Sequence, residues 1–167
     1  MDRSARLEKL LPNGRGVWIP IDHGASDFPV EGLVDTESTI KALISAGVDV
    51  ILAQKGVVSH YSHLCLGTKT NMVVHLSVST RHAGPDCANK VLVGHPDEVI
   101  SRGGLGVSCQ VNIGSANEAE MIERMGEVSR QSHKLQLPMF GMIYARGEFL
   151  NIMEGDSTLG NAHAARL

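Results

Sequence analysis

Asp22 ends the apolar run Val17-Trp18-Ile19-Pro20-Ile21 and is followed at once by His23 and Gly24. Burial at the end of such a run disfavours the charged carboxylate while a neighbouring cation favours it, and either environment suits a general base. The same side chain is also placed to accept bonds from the amides of the Asp-His-Gly turn. Tyr144 and Arg146, in Tyr144-Ala145-Arg146-Gly147, offer a phenol for proton transfer and a planar cation for phosphate. Tyr144 reads equally as an ordinary aromatic at a strand end. Lys55, in Gln54-Lys55-Gly56, is a lysine that can bind phosphate, pair with Asp22 or act as a desolvated amine nucleophile. His60 and His63 stand three apart, a spacing compatible with metal ligation alongside His23 and His75, although solvent-facing loop histidines account for them as well. Cys65, Cys87 and Cys109 are an odd count without a close pair, which suggests neither a disulfide framework nor a thiolate zinc site. No metal or other cofactor is expected.

These residues need elements to position them. Leu7, Leu10 and Leu11 share a helical face over 4–11, stopped by Pro12-Asn13-Gly14. Strand one is predicted over 17–22. Asp35 caps a helix with Ile40, Leu43 and Ile44 on one stripe, and Gly47 sits where a left-handed residue ends it. Strand two follows over 48–54, a loop and short helix over 56–66, and strand three over 72–77. After a loop over 80–90, Val91-Leu92-Val93 is a short extension and Pro96 begins a helix that Gly103-Gly104 ends. Strand four is predicted over 107–111, and Ser115-Ala116-Asn117-Glu118 reads as a capping box ahead of Met121, Ile122, Met125 and Val128. Strand five covers 139–144, and a last helix starts at Asp156.

Composition excludes several classes. The chain is 43% hydrophobic and 20% charged, enough apolar side chain for a core and too much for general disorder. Fifteen Lys and Arg against 18 Asp and Glu give a net charge of -3 without a basic stripe, so no nucleic-acid partner is expected. No apolar run reaches the roughly 18 residues that span a bilayer, and the start of the chain lacks a signal-peptide core, so neither membrane nor export is expected and a cytoplasmic setting is. Glycine is abundant, 18 of 167, which fits many tight strand-to-loop junctions.

Alternating strands and helices predict parallel pairing, in a doubly wound sheet or a β/α barrel. No G-x-G-x-x-G or G-x-x-x-x-G-K-[ST] follows any strand, which removes the phosphate turn of dinucleotide and P-loop folds. Polar residues instead gather at strand ends: Asp22-His23, Gln54-Lys55, His75 and Ser77, Asn112, Tyr144 and Arg146. A β/α barrel builds its active site at that end. The expected fold is α/β, the first five strands of a TIM (β/α)8 barrel, residues 1–167 forming one partial, incomplete barrel domain.

Five segments occur in order: Ile19-Pro20-Ile21-Asp22-His23-Gly24-Ala25-Ser26, Ala46 to Gly56, His75-Leu76-Ser77-Val78-Ser79-Thr80, Val111-Asn112-Ile113-Gly114-Ser115 and Tyr144-Ala145-Arg146-Gly147. As a set they resemble the archaeal-type class I aldolases. The opening through Pro29-Val30-Glu31-Gly32 is most similar to the 2-amino-3,7-dideoxy-D-threo-hept-6-ulosonate synthase branch, with archaeal fructose-bisphosphate aldolase as a near relative. The resemblance implies cleavage or exchange of phosphorylated ketoses through a lysine Schiff base, without a metal, in a homo-oligomer. It also implies Asp22 as proton acceptor, Tyr144 as proton donor, and Asp22, His23, Gly24, Ala25, Ser26, Lys55, Tyr144, Ala145 and Arg146 as substrate-binding positions.

Two departures stand out. The family's Schiff-base lysine lies on strand six, beyond Leu167, and Lys55 matches a different family position. Ala145 stands where the family usually has proline. A full barrel has eight strands in about 250 residues, so five leave free edges. The chain is therefore expected to be marginal, self-associating or completed by another polypeptide, and inactive without the missing amine. The alternative is a non-catalytic anion-binding or assembly module.

Overall fold

Strands whose residues are apolar on both faces need cover on both faces, and parallel neighbours flanked by helices provide it. The computed structural model describes residues 1–27, 30–150 and 158–167. Its main sheet has five strands: β1 (Trp18–Pro20), β2 (Val50–Gln54), β3 (Asn71–His75), β6 (Gly106–Ile113) and β7 (Met139–Ala145), in the order β1-β2-β3-β6-β7 and parallel throughout. Between β3 and β6 the chain forms a small antiparallel pair, β4 (Ser77–Val78) with β5 (Val91–Leu92). The five-stranded sheet curls into a half-barrel. Its two outer strands meet across the concave face, where the rings of Trp18 and Phe140 pack edge to face with centroids 4.4 Å apart.

Alternation along the strands divides the core in two. Ile51, Ala53, Met72, Val74, Val107, Cys109 and Val111 turn outward to Ile40 of α2 (Thr36–Ser45), Val58 of α3 (Lys55–Tyr61), and Met121, Met125 and Val128 of α4 (Glu118–Lys134). Val50, Leu52 and Val73 face the concave side with Trp18, Phe140 and Met142, and Leu10 of α1 (Arg3–Leu10) packs against them. Trp18 Nε1 donates to Leu10 O at 3.0 Å, so α1 closes the amino-terminal end of the half-barrel. The register pairs Gln54 with His75, His75 with Ser108, and Asn112 with Tyr144, stacking polar residues at the carboxyl end.

Several expected elements form as read. Asp35 caps α2 through Ser38 N at 3.0 Å, and Gly47 has φ +74°, the left-handed turn that ends it. Others differ. β1 is shorter than 17–22 because Pro20 has no N–H to donate and Asp22 opens a 3-10 turn, Asp22–Ala25; Ile21 N still bonds Leu52 O at 2.8 Å. β3 stops at His75, since Leu76 bonds outward to Ser108 O and Val93 N before β4 turns away. The helix from Pro96 is a single 3-10 turn, Pro96–Glu98, carrying a capping box between His95 and Glu98. The expected Ser115/Glu118 box does not form: Asn117 is the N-cap of α4 without a side-chain cap bond, the Glu118 carboxylate accepts from Gly114 N, and Ser115 Oγ accepts from Asn117 N at 3.3 Å. The start predicted at Asp156 lies outside the described residues; within them α5 runs Thr158–Ala164. No helix among the described residues is long and apolar enough to cross a membrane.

Candidate active site

His75 lies at the centre of the carboxyl end, 1% exposed. Its Nδ1 is 2.6 Å from Ser108 Oγ, its Nε2 3.2 Å from Ser77 Oγ and 3.8 Å from Asp22 Oδ2. Burial pushes the imidazole down to about 4, against the opposing pull of Asp22, and Lys90 and His23 act in the same direction as burial. The ring is therefore neutral at neutral pH, one nitrogen donating and the other accepting. Gln110 N fixes Ser77 by donating to its Oγ at 2.9 Å, and Gln54 Nε2 donates to Ser77 O at 3.1 Å.

Asp22 is held over this network by the Asp22–Ala25 turn, its side chain 13% exposed. Its Oδ1 is buried and has no hydrogen-bond partner among the described residues. Leaving a buried polar atom unmade is costly, on the order of 1–3 kcal/mol or more for a charged group, so this carboxylate retains acceptor capacity for a hydroxyl brought to it. His23 points to solvent, 60% exposed, with Nδ1 4.0 Å from Asp22 Oδ1.

The 81–90 segment folds back over the sheet as 3-10 turns with a reversal at Gly84. Ser79 Oγ donates to Cys87 O and Asn112 Nδ2 to Ala88 O, both at 2.6 Å. Arg124 Nη1 of α4 holds the end of the segment, at 2.7 Å from Asn89 Oδ1 and 3.0 Å from Lys90 O. Lys90 Nζ then reaches Ser26 Oγ at 3.4 Å. Burial lowers the Lys90 ammonium's pKa and Arg146 adds to the effect, while Asp22, Asp27 and Cys87 oppose it. Arg146 lies with its guanidinium carbon 3.6 Å from the centre of the Tyr144 ring, a cation–π stack.

Two concavities flank the Asp22 turn. One of about 340 Å3 is lined by residues including Ser26, Lys90, Asn112 and Arg146; the other, of about 330 Å3, by residues including Asp22, Gly24, Ala25 and Gln54. Ala145 is wholly buried, and Gly147 follows it where only glycine fits, because a Cβ there would run into the Gly114–Ser115 backbone. The segment 22–26 and the segment 144–146 are thus brought to one end of the sheet. Lys55 is not in this group: its Nζ is 3.5 Å from both carboxylate oxygens of Glu98, which also binds Arg102. His60 and His63 are exposed on the far side of β2, away from the buried His75, and no cluster among the described residues could hold a metal ion. Lys90 went unnoticed in the sequence because it sits in a loop whose return to the mouth depends on Asn112 and Arg124, far along the chain.

Comparison with known proteins follows the same lines. A model of the DeoC/LacD family aldolases matches residues 17–164. The 2-amino-3,7-dideoxy-D-threo-hept-6-ulosonate synthase of Halobacterium salinarum is 34% identical over 166 residues, covering 99% of this chain and 60% of that protein. A synthase of the same name from Archaeoglobus fulgidus is 32% identical over 88% of this chain and 55% of its own length. The 2-amino-4,5-dihydroxy-6-oxo-7-(phosphonooxy)heptanoate synthase of Streptomyces griseus is 35% identical over 87% of this chain and 53% of its own. The chain thus spans a little over half the length of these relatives. A Schiff-base-forming fructose-1,6-bisphosphate aldolase superposes with a TM-score of 0.84 at 21% identity, over 99% of this chain and 66% of that one, a likeness of fold.

Proposed function

This chain belongs to the DeoC/LacD family of aldolases, and from that premise we propose that its 167 residues furnish the acid–base and substrate-holding side of a class I aldolase site for phosphorylated ketoses. The reaction type is that of a 2-amino-3,7-dideoxy-D-threo-hept-6-ulosonate synthase or a fructose-bisphosphate aldolase. Asp22 takes the hydroxyl proton, Tyr144 delivers a proton to the carbanion carbon, and the 22–26 and 144–146 segments hold the substrate. The observation that carries this reading is the buried Oδ1 of Asp22, without a hydrogen-bond partner among the described residues, at the carboxyl end of a parallel half-barrel beside the neutral His75.

Cleaving a carbon–carbon bond next to a carbonyl requires somewhere for the bonding electrons to go, and in a class I enzyme that is an iminium on a lysine. The six lysines here are Lys9, Lys41, Lys55, Lys69, Lys90 and Lys134. Lys55 is committed to Glu98, and the position that the family resemblance assigns to the amine is strand six. On this reading these residues bind substrate, and neither Lys55 nor Lys90, whose ammonium reaches Ser26 Oγ, is given the imine-forming role that the resemblance places on strand six. Sodium borohydride with fructose 1,6-bisphosphate, followed by peptide mass mapping, tests this: no reduced adduct on the six lysines is expected, and a stable adduct on any of them, Lys90 included, would overturn it.

A second reading, a non-catalytic assembly module, is favoured by the concave groove of about 410 Å3 left open by the curl, whose lining includes Trp18, Leu52, Phe140 and Met142. Light scattering separates the two, because a stable monomer indifferent to phosphate counts against the module.

A further inference from the structure

The amino-terminal end of the sheet, opposite the mouth, holds another polar space. Where the start of α1 meets the last turn of α4 and the start of β7, a cavity of about 100 Å3 is lined by Arg3, Ser129, Ser132, His133, Leu137 and Met139. Ser132 is 1% exposed, yet its Oγ has no hydrogen-bond partner among the described residues. A helical serine can return its hydroxyl to the carbonyl one turn back, and this one does not. The backbone beside it is already satisfied: Leu137 N donates to Ser132 O at 2.9 Å, Gln136 N to His133 O at 3.2 Å and Leu135 N to Gln131 O at 3.1 Å, through a left-handed turn at Gln136, φ +57°. Amides therefore cover carbonyls that would carry the negative end of the α4 dipole. Arg3 brings a fixed positive charge whose guanidinium has no partner among the described residues. The carboxylates beside these residues in sequence are used elsewhere, Asp2 by Ala5 N at 2.8 Å and Glu127 by Arg130 and Gln131, and none lines the cavity. Arg6, on the same face of α1, is buried with its Nε also unpartnered among the described residues.

We propose that this cavity is a binding site for a tetrahedral oxyanion of phosphate size, held by the Arg3 guanidinium, the Ser129 and Ser132 hydroxyls and the His133 ring. The donor set selects the charge. Every polar side chain on the wall can donate, and arginine can only donate, which turns away a metal cation and leaves the accepting to the ligand. Volume selects the size: at about 30 Å3 for each water, the cavity equals a few waters, room for an ion of five heavy atoms. It falls well short of the roughly 300 Å3 at which pockets for metabolites begin. A sugar phosphate is too large for it, which separates this site from the concavities at the carboxyl end. Seated there, the ion ties α1 to α4 and stabilises the closed amino-terminal end by mass action. No residue of the site belongs to the mouth, so it stands or falls independently of the aldolase reading.

Sodium sulfate titrated into the purified chain at constant ionic strength, followed by amide chemical shifts, tests the site. Saturable shifts centred on Arg3, residues 129–133 and Leu137 are expected. Arg3→Met weakens binding about tenfold or more, Arg3→Lys restores it to within about threefold, and Lys41→Met, in an exposed pair with Glu37, leaves it unchanged. Ser132→Ala discriminates further: removing an unpartnered buried hydroxyl leaves the urea midpoint in sodium chloride unchanged or higher, yet weakens sulfate binding about threefold or more. Fructose 1,6-bisphosphate does not displace the sulfate. Absence of saturable shifts, shifts centred on the carboxyl end alone, full affinity in Arg3→Met or Ser132→Ala, a lowered chloride midpoint in Ser132→Ala, or displacement by the sugar bisphosphate each overturns the site and leaves water as its occupant. The borohydride experiment reads imine formation and this one reads anion binding at the opposite end of the sheet, so either can fail while the other stands.

Discussion

A neutral histidine at the centre of a polar network fixes how this site responds to pH. His75 faces Ser77, Ser108 and Asp22, with Lys90 and His23 close enough to act on its charge, and burial dominates, holding the folded ring at about 4. The unfolded ring titrates near 6.5, so between those values the unfolded chain binds more protons than the folded one. Stability therefore rises with pH across this window and is lost as pH falls from 6.5 towards 4. Urea midpoints measured across that range should slope accordingly, and His75→Gln should flatten the slope; an unchanged slope contradicts the assignment. Much at this scale was legible beforehand. Asp22, Tyr144 and Arg146 stand directly after apolar runs, where alternation and strand polarity define the mouth. Lys90 was not legible, because its place depends on hydrogen bonds from Asn112 and Arg124, which no local pattern encodes.

Elements carry those residues, and the strands were readable because buried parallel strands are nearly continuous apolar runs. Their ends were less so. Pro20 shortens β1 by removing a donor, and Glu98 spends its carboxylate on His95 N, Lys55 and Arg102, which leaves a single 3-10 turn where a helix was expected. The capping box read before α4 does not form, because the helix starts at Glu118 and Gly114, with φ +80°, brings its own N–H to that carboxylate. The role of α1 was hidden altogether: its Leu10 was visible as part of an amphipathic face, but not that the face would close the sheet's amino-terminal end. Leu10 is wholly buried against Val50, Leu52 and Val73. Leu10→Ala should destabilise the chain by roughly 2–5 kcal/mol, read as a fall in the urea midpoint; a shift of a few tenths would show that α1 does not close the sheet as described.

At the scale of the molecule, five parallel strands curl far enough for Trp18 to touch Phe140, close one end with α1 and leave the other open and polar. The choice of a barrel over a doubly wound sheet was available from the sequence, since no phosphate-binding glycine turn follows any strand and polar residues mark every strand end. The degree of curl was not, because it arises from the packing of β1 against β7 across the concave face. Among the described residues the outer edges of β1 and β7 have no strand partner in the main sheet, and edges of that kind recruit other chains. Asp22, His75, Lys90 and Arg146 converge at the open mouth, and in the proposed reading the mouth binds the substrate while none of the six lysines forms the imine. The most direct measurement is aldol cleavage of fructose 1,6-bisphosphate by the purified 167-residue chain with no companion subunit. Turnover indistinguishable from the uncatalysed rate is the predicted result, and efficient turnover abolished by substituting one of the six lysines would contradict it.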